Sequence, residues 1–116
     1  MSTFERPWGT YTNILCPDKD TPCRVKKIVV KPGKRLSLQL HNHRHEHWVV
    51  VKGEGYVTVG GAVLHRKAND YVFIPVETKH RIENKGTEEL IFVEVQYGDY
   101  LEEDDIVRFQ DDFGRV

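Results

Sequence analysis

Four side chains of this sequence have the donor types and the spacing of a metal site: Gln39, His41, Glu46 and His80. The first three fall in one run, 32–53, and the fourth closes a shorter run further along the chain. Imidazole nitrogens with carboxylate and amide oxygens suit Zn, Fe, Mn, Co or Ni, and the set contains no thiolate. A buried carboxylate needs a partner, and a metal would supply one for Glu46. The sequence therefore predicts one divalent transition metal, with a coordination position left open if the site is catalytic.

Short β-strands must position these donors. Runs rich in Val, Ile and aromatic residues alternate with turn signals, a pattern typical of a sandwich or a closed barrel. Gly60-Gly61 between two short runs predicts a two-residue hairpin. The stretch 101–112 carries a charge run, typical of a solvated face, and is compatible with a short helix or an irregular tail. The predicted strands are 11–16, 24–30, 35–41, 45–51, 56–59, 62–66, 71–74, 80–84 and 90–96.

Side-chain alternation along a strand divides two of these runs into unlike faces. In 35–41 a polar face opposes a face of leucines, and in 90–96 an apolar face opposes one that carries Glu94 and Gln96. The leucines of 35–41 face either the core or, if the polar face lines a wet barrel lumen, an outer layer or a partner subunit. The strand alone fits both arrangements. The two faces of 35–41 are Arg35, Ser37, Gln39 and His41 against Leu36, Leu38 and Leu40.

Length and charge exclude several classes of protein. The 116 residues predict a single domain, 1–116, large enough for one core. A net charge of -1 leaves no basic footprint for nucleic acid. No apolar run is long enough to cross a membrane and the first residues are not a signal peptide, so we expect a cytoplasmic protein. Cys16 and Cys23 are then expected to be free thiols.

The spacing of the donors resembles the two sequence motifs of the cupins. Counting from Gly33, the run matches Gly-x5-His-x-His-x4-Glu-x6-Gly, with Gln39 at the first histidine position. The run 75–84 matches Pro-x-Gly-x2-His-x3-Asn, with Glu77 at the glycine position. The resemblance implies an all-β fold, the cupin jelly-roll β-barrel or double-stranded β-helix.

The same resemblance assigns the metal ligands. It places them at Gln39, His41, Glu46 and His80. Gln is a weak ligand and is more often a hydrogen-bonding core amide, so His43 is the alternative that would complete the site. His47 points away from Glu46 by strand parity, and we expect it to be packed or at a subunit interface.

Longer blocks of sequence narrow the resemblance to one branch of the cupins. The run 32–48, Pro-Gly-Lys-Arg-Leu-Ser-Leu-Gln-x-His-x-x-Arg-x-Glu-His-Trp, is similar to the C-terminal cupin domain of bifunctional mannose-6-phosphate isomerase / mannose-1-phosphate guanylyltransferases. The blocks 6–11, 94–108 and 111–115 are similar to the start and the tail of that domain. The resemblance implies a metal-dependent aldose–ketose isomerase that interconverts mannose-6-phosphate and fructose-6-phosphate.

Two alternatives to the isomerase stay open at the level of sequence. They are a non-catalytic cupin that binds a sugar phosphate and a metal-dependent cupin oxidoreductase, because a fold does not fix a reaction. The Gly-rich nucleotide-binding segment of the guanylyltransferases has no match in this sequence. We therefore expect no guanylyl transfer by this chain.

Isomerisation would require a polarised carbonyl, a base and an anchor for the phosphate. Arg35, on the polar face of its strand, is predicted to contact the substrate at its phosphate or its developing oxyanion; the alternative is a surface or ion-pairing arginine. Ser37 on the same face and Arg108 in the tail are further substrate-binding candidates. The base is Glu94, Lys26 or a metal-bound hydroxide, which the sequence does not rank.

The resemblance to the cupins also predicts a homodimer. Cupins commonly dimerise, and the run of leucines at 36, 38 and 40 would suit a sheet-to-sheet interface if it faced outward. The expected partners are thus a small sugar phosphate and a second copy of the chain, without nucleic acid or membrane.

Overall fold

Strands account for all regular structure in the computed structural model, which describes residues 1–115. Within that range there are eleven strands and no helix. The turn at Gly60-Gly61 joins β6 to β7, which confirms the predicted hairpin. The strands are β1 Ser2–Arg6, β2 Gly9–Leu15, β3 Cys23–Val30, β4 Leu38–Leu40, β5 Arg44–Lys52, β6 Glu54–Val59, β7 Ala62–Lys67, β8 Tyr71–Ile74, β9 His80–Glu83, β10 Leu90–Gly98 and β11 Val107–Gln110.

Two antiparallel sheets form the barrel. One has six strands in the order β1-β2-β3-β10-β5-β8, and the other has five in the order β11-β4-β9-β6-β7. Neighbours within each sheet are mostly distant in sequence, as a jelly roll requires. The arrangement confirms the predicted all-β barrel and places the donor-bearing strands β4 and β9 opposite β5.

The barrel interior changes character along each central strand. In β3, β5 and β10 alternate residues are buried, as expected for strands with one face inward. One half of each strand buries apolar side chains and the other half buries polar ones. The strand register places apolar residues beside apolar ones and polar residues beside polar ones. Phe92 pairs with Val50 and Ile28, whereas Gln96 pairs with Glu46 and Arg24. The barrel therefore has an apolar half and a polar half.

A glycine allows strands β10 and β5 to approach closely at the polar end of the barrel. Gly98, the last residue of β10, pairs with Arg44 at the start of β5. A Cβ atom at Gly98 would lie 2.0 Å from the carbonyl oxygen of His43. Only glycine lets the two backbones approach this closely.

The structure corrects three expectations for strands. Residues 107–110 form β11, paired with β4, where a short helix or an irregular tail was predicted. β1 was not predicted at all; it is an exposed edge strand whose polar residues hide the alternation. The predicted strand 35–41 shrinks to the three residues of β4.

The leucines of this segment do not form an outward face. Leu36 is 7% exposed and belongs to the main core, while Leu38 and Leu40 are half-buried beside β11. Strand parity fails here because residues 35–37 are outside a regular ladder, with one isolated bridge from Arg35 to Glu83.

No helix within residues 1–115 has the length and apolar character needed to cross a membrane. Cys16 and Cys23 are free thiols, as expected from the sequence.

Candidate metal centre

Three of the predicted donors converge at the polar end of the barrel. Side-chain donor atoms of His41, Glu46 and His80 all lie within 4.8 Å of one another, and all three residues are buried. His41 follows β4 and His80 begins β9, both in the five-stranded sheet, whereas Glu46 lies on β5 in the other sheet. The cluster therefore joins the two sheets, and neither sheet can form it alone.

Hydrogen bonds fix both imidazoles with one nitrogen turned to the cluster. His41 Nδ1 donates to the carbonyl oxygen of Asp105 over 2.6 Å, and His80 Nδ1 donates to that of Thr78 over 2.9 Å. Each Nε2 is then left with a lone pair, as in metal-binding histidines whose other nitrogen is held by a carbonyl. His80 Nε2 is buried and finds no hydrogen-bond partner within the described residues. An orphaned imidazole lone pair beside a carboxylate fits a divalent metal.

Burial keeps both histidines neutral, the protonation state that a metal needs. It lowers the pKa of His41 to about 4, although the Glu46 carboxylate acts in the opposite direction. It also lowers the pKa of His80, again against the pull of Glu46.

Asp105 holds His41 and the residues that follow it in place, and sequence reasoning missed it. Besides its carbonyl bond to His41, its carboxylate accepts the backbone N–H groups of Asn42 and His43 over 2.9 and 3.0 Å. Asp105 is only 6% exposed. Its position within an acidic run, typical of a solvated face, gave no signal that this one carboxylate is buried.

The turn before His80 is strained at one residue. Glu77 has φ of 56°, a left-handed conformation that costs a non-glycine residue about 1–2 kcal/mol. Its N–H donates to the carbonyl oxygen of His41 over 2.8 Å, so the turn packs directly on a donor residue. This backbone geometry explains the glycine at the corresponding position of the cupin motif.

Glu46 is fully enclosed and held at both oxygens. Trp48 Nε1 donates to its Oε1 and Arg44 Nε donates to its Oε2, each over 2.9 Å. Burial alone would raise the pKa of Glu46, but the charge of Arg44 outweighs it and keeps that pKa below its ordinary value. Glu46 is thus a carboxylate with its charge in place.

Glu94 behaves in the opposite way. Burial, followed by the charge of Glu46, raises the pKa of Glu94 to about 8. Gln96 Nε2 donates to its Oε2 over 2.6 Å. Two buried glutamates on neighbouring strands therefore differ in protonation at neutral pH.

Charged side chains line a cavity of about 170 Å³ around the cluster. Its basic residues outnumber its acidic ones, which favours an anionic ligand. Arg108 Nε is buried there without a hydrogen-bond partner among residues 1–115. The basic residues are Arg6, Lys26, Arg44, Arg108 and Arg115, and the acidic ones are Glu46, Glu94 and Glu103.

The cavity contains most of the residues predicted for the site. Ser37, Gln39, Glu94 and Arg108 all line it, as do the three clustered donors. Gln39 pairs with His80 across β4 and β9, so it lies next to the cluster. Its role as a fourth ligand stays a prediction.

Arg35 is the exception. Its guanidinium forms a bidentate ion pair with Asp112, with both N–O distances at 2.8 Å, and does not line the cavity. The predicted place on the lumen face is therefore wrong, and its alternative, an ion-pairing arginine near the surface, is what the structure shows. The parity argument failed because Arg35 precedes the regular part of β4.

The remaining histidines of the first motif lie outside the cavity. His43 is half-exposed, with Nδ1 3.5 Å from Asp99, so it does not complete the metal cluster. His47 stacks on Tyr71 and contacts Phe73 at a tilt on the outer face of the six-stranded sheet, as its parity predicted.

The family of the chain follows from comparison with known proteins. Residues 1–111 match the family described as mannose-6-phosphate isomerase C-terminal. The mannose-1-phosphate guanylyltransferase ManC of Salmonella typhimurium strain LT2 is 50% identical over 96% of this chain and 22% of its own length. The xanthan biosynthesis protein XanB of Xanthomonas campestris pv. campestris strain B100 is 51% identical over 96% of this chain and 23% of its own. The chain thus spans less than a quarter of these relatives.

Solved structures agree on the fold. The capsular polysaccharide assembling protein CapF of Staphylococcus aureus superimposes with a TM-score of 0.81 at 20% identity, over 94% of this chain and 32% of that chain. A cupin 2 conserved barrel domain protein of Salinispora arenicola gives 0.66 at 23% identity, over 75% and 73%. At such identities the likeness shows a shared cupin fold.

These relatives correct the predicted activity. The sequence predicted an isomerase acting on mannose-6-phosphate, whereas the relatives are named for guanylyl transfer to mannose-1-phosphate or for xanthan biosynthesis. The word isomerase occurs only in the description of the domain. The broader prediction, a relation to enzymes of mannose-phosphate metabolism and polysaccharide biosynthesis, is confirmed by these relatives. This chain is a cupin that belongs to the mannose-6-phosphate isomerase C-terminal family.

Proposed function

We propose that this chain is a metal-dependent binding domain for a phosphorylated mannose, acting beside guanylyl transfer in the biosynthesis of nucleotide sugars and polysaccharides. The observation that carries the proposal is the buried lone pair of His80 Nε2, which faces His41 and Glu46 inside a cavity rich in basic residues. The cavity thus offers a place for a cation and, around it, a place for an anion.

The metal would be held by His41, Glu46 and His80, with Gln39 as the proposed fourth ligand. One divalent transition metal, Zn, Mn, Co, Ni or Fe, fits this set of donors. When bound, it supplies Lewis acidity toward an oxygen of the ligand. Asp105 and Thr78 keep the imidazoles oriented, and Trp48 orients the carboxylate.

Basic residues at the cavity would recognise the phosphate. Arg108 has a buried Nε with no hydrogen-bond partner in the described part of the chain, and a guanidinium forms strong charge-assisted bonds with phosphate oxygens. Ser37, 2% exposed at the cavity wall, adds a hydroxyl for a phosphate or sugar oxygen. Lys26 is held by Glu103 and lies over the ring of Tyr11, so its charge is already partly neutralised.

The choice of mannose rests on the relatives. ManC is named for mannose-1-phosphate, and the family description names mannose-6-phosphate. We propose that the domain binds one of these phosphates while a guanylyltransferase uses mannose-1-phosphate. The predicted homodimer and cytoplasmic location accompany this proposal as predictions of their own.

Calorimetric titration tests the proposal. The chelator-treated protein is titrated with Zn²⁺, Mn²⁺ or Co²⁺, and the metal-loaded protein with mannose-1-phosphate, mannose-6-phosphate, glucose-6-phosphate, mannose and inorganic phosphate. One metal per chain and tighter binding of a mannose phosphate than of mannose or phosphate are expected. Metal binding that persists unchanged in His80→Ala, or equal affinity for glucose-6-phosphate, would contradict the proposal.

A further inference from the structure

Arg44 lies against two of the three proposed metal donors. Its Nη2 donates to His41 Nε2 over 3.2 Å, and its Nε donates to Glu46 Oε2 over 2.9 Å. Its side chain is only 6% exposed, so these bonds are formed inside the barrel. An arginine is always charged in proteins, and this guanidinium is therefore a fixed cation at the metal cluster.

The acceptor atoms used by Arg44 are those that a metal would need. His41 Nδ1 is already bonded to the carbonyl of Asp105, and Glu46 Oε1 already accepts from Trp48. The atoms left to face a metal are therefore His41 Nε2 and Glu46 Oε2. The one lone pair of His41 Nε2 cannot accept an arginine N–H and bind a metal at the same time.

A displaced Arg44 would remain in the cavity. It begins β5 and pairs with Gly98, whose close packing fixes the backbone at this point. Its guanidinium would lose the His41 acceptor inside the barrel, and unpaired buried donors are costly. A phosphate group in the cavity would satisfy them with charge-assisted bonds.

We propose that Arg44 is an internal counter-ion of the metal centre: the guanidinium and the metal exclude each other at His41 Nε2 and compete for the charge of Glu46, and metal binding releases Arg44 to bind the anionic group of the ligand. The inference rests on the proposed function, because it assumes that the cluster binds a metal. It adds that metal and anion binding are coupled through one named side chain.

The first test compares Zn²⁺ affinity in the wild type and in Arg44→Gln, without phosphate. Loss of the competing guanidinium should tighten Zn²⁺ binding by about tenfold, since charge-assisted hydrogen bonds of this kind are among the stronger ones in proteins. The matched control is Arg24→Gln, a similarly buried arginine that bonds Leu101 and Asn13 and does not line the cavity. The control should leave Zn²⁺ affinity unchanged.

The second test measures inorganic phosphate affinity in the same proteins with and without Zn²⁺. In the metal-free protein Arg44 is engaged, so Arg44→Gln should change phosphate affinity less than about twofold. In the Zn²⁺-loaded protein the same substitution should weaken phosphate binding by about tenfold. An equal effect in both states, or none in either, would overturn the proposal.

A measurement on the wild type covers the event that Arg44→Gln misfolds. The Nε–H resonance of Arg44, identified by its loss in Arg44→Lys, should shift and exchange faster with water when Zn²⁺ is added. Added phosphate should slow that exchange again. A resonance unmoved by Zn²⁺ overturns the proposal even though the metal binds, whereas absence of Zn²⁺ binding in every variant overturns the proposed function with it.

Discussion

The apolar and the polar halves of the barrel interior are built from the same strands and do different work. Leu90 and Phe92 on β10 are completely buried among apolar neighbours, and two residues further on Glu94 and Gln96 are equally buried among charges. The apolar half stabilises the fold, because it removes hydrocarbon surface from water. The polar half pays desolvation at every residue and recovers only part of it through hydrogen bonds.

The difference shows how a small barrel can carry a site at all. Apolar burial stabilises one end of the barrel, which allows the other end to bury the polar and charged groups of the candidate site. Among residues 1–115 some of these groups find no hydrogen-bond partner, namely His80 Nε2, Gln96 Oε1 and Arg108 Nε. We therefore expect substitutions in the two halves to separate stability from ligand binding.

The largest effect is expected for Phe92→Ala in the apolar half. Phe92 is 0% exposed and packs on Trp48, so its truncation leaves a cavity and should lower the free energy of unfolding by about 3–5 kcal/mol. Urea denaturation measures the loss. Zn²⁺ affinity of the remaining folded protein should stay within about threefold of wild type. A large loss of affinity would show that the halves are not separable.

Glu46→Gln is the counterpart in the polar half. Removing the carboxylate charge should weaken metal affinity by more than about 100-fold, since even changes to the groups behind metal ligands cost about 10–100-fold. Metal titration of the folded variant measures the effect. Retention of metal binding within tenfold would remove Glu46 from the ligand set, with Glu54→Gln as the exposed control on β6.

The protonation of Glu94 should appear in the pH dependence of stability. Its ordinary pKa of 4.5 is raised to about 8 in the fold, so the stability that its protonation contributes is fully present below pH 4.5 and is lost as the pH rises through 8. His41 acts in a lower window, where stability is lost as pH falls from 6.5 to about 4. Between pH 6.5 and 8 chelator-treated protein should therefore lose up to about 1.4 kcal/mol of unfolding free energy per pH unit. Urea titrations at both pH values measure it.

Glu94→Gln is the matched variant for that measurement. It keeps the shape of the side chain and removes its titration, so the loss of stability between pH 6.5 and 8 should vanish. The same slope in the variant would show that another group releases the proton.

Asp105→Asn should have a smaller effect on metal affinity than Glu46→Gln. The carbonyl that orients His41 remains, but one of the two backbone N–H bonds from Asn42 and His43 loses its acceptor. About tenfold weaker metal binding is expected. Asp104→Asn, its exposed neighbour, is the control, and equal affinities for the two variants would show that Asp105 is not needed to orient the site.

The smallest effect is expected at the strained turn. Glu77→Gly should raise the free energy of unfolding by about 0.5 kcal/mol, because relief of the left-handed strain exceeds the entropy that glycine adds to the unfolded chain. Thermal denaturation measures it. Asn69→Gly, at φ of 77°, should gain less because Asn tolerates this conformation, and a destabilised Glu77→Gly would refute the strain.

The amino-acid sequence predicted the candidate metal donors better than it predicted the groups that orient them. His41, Glu46 and His80 were identified because their spacing resembles a known motif. Strand parity grouped Glu94 with Gln96 on one face of 90–96, and the structure buries that face. Asp105 was missed since it acts through its backbone carbonyl and is brought to His41 from 64 residues away, a contact that no local pattern encodes. Arg35 was misplaced because parity holds only within a ladder, and its partner Asp112 lies 77 residues further along the chain.

The carbonyl of Asp105 has a consequence for synthesis of the protein on the ribosome. The chain emerges from its N-terminus, so His41, Glu46 and His80 exist long before Asp105 and β11 are available to orient them. A nascent chain ending near residue 100 would display the donors without the hydrogen bond that fixes His41. The fixed orientation of His41 would thus be postponed until the segment that carries Asp105 has been made and has paired with it.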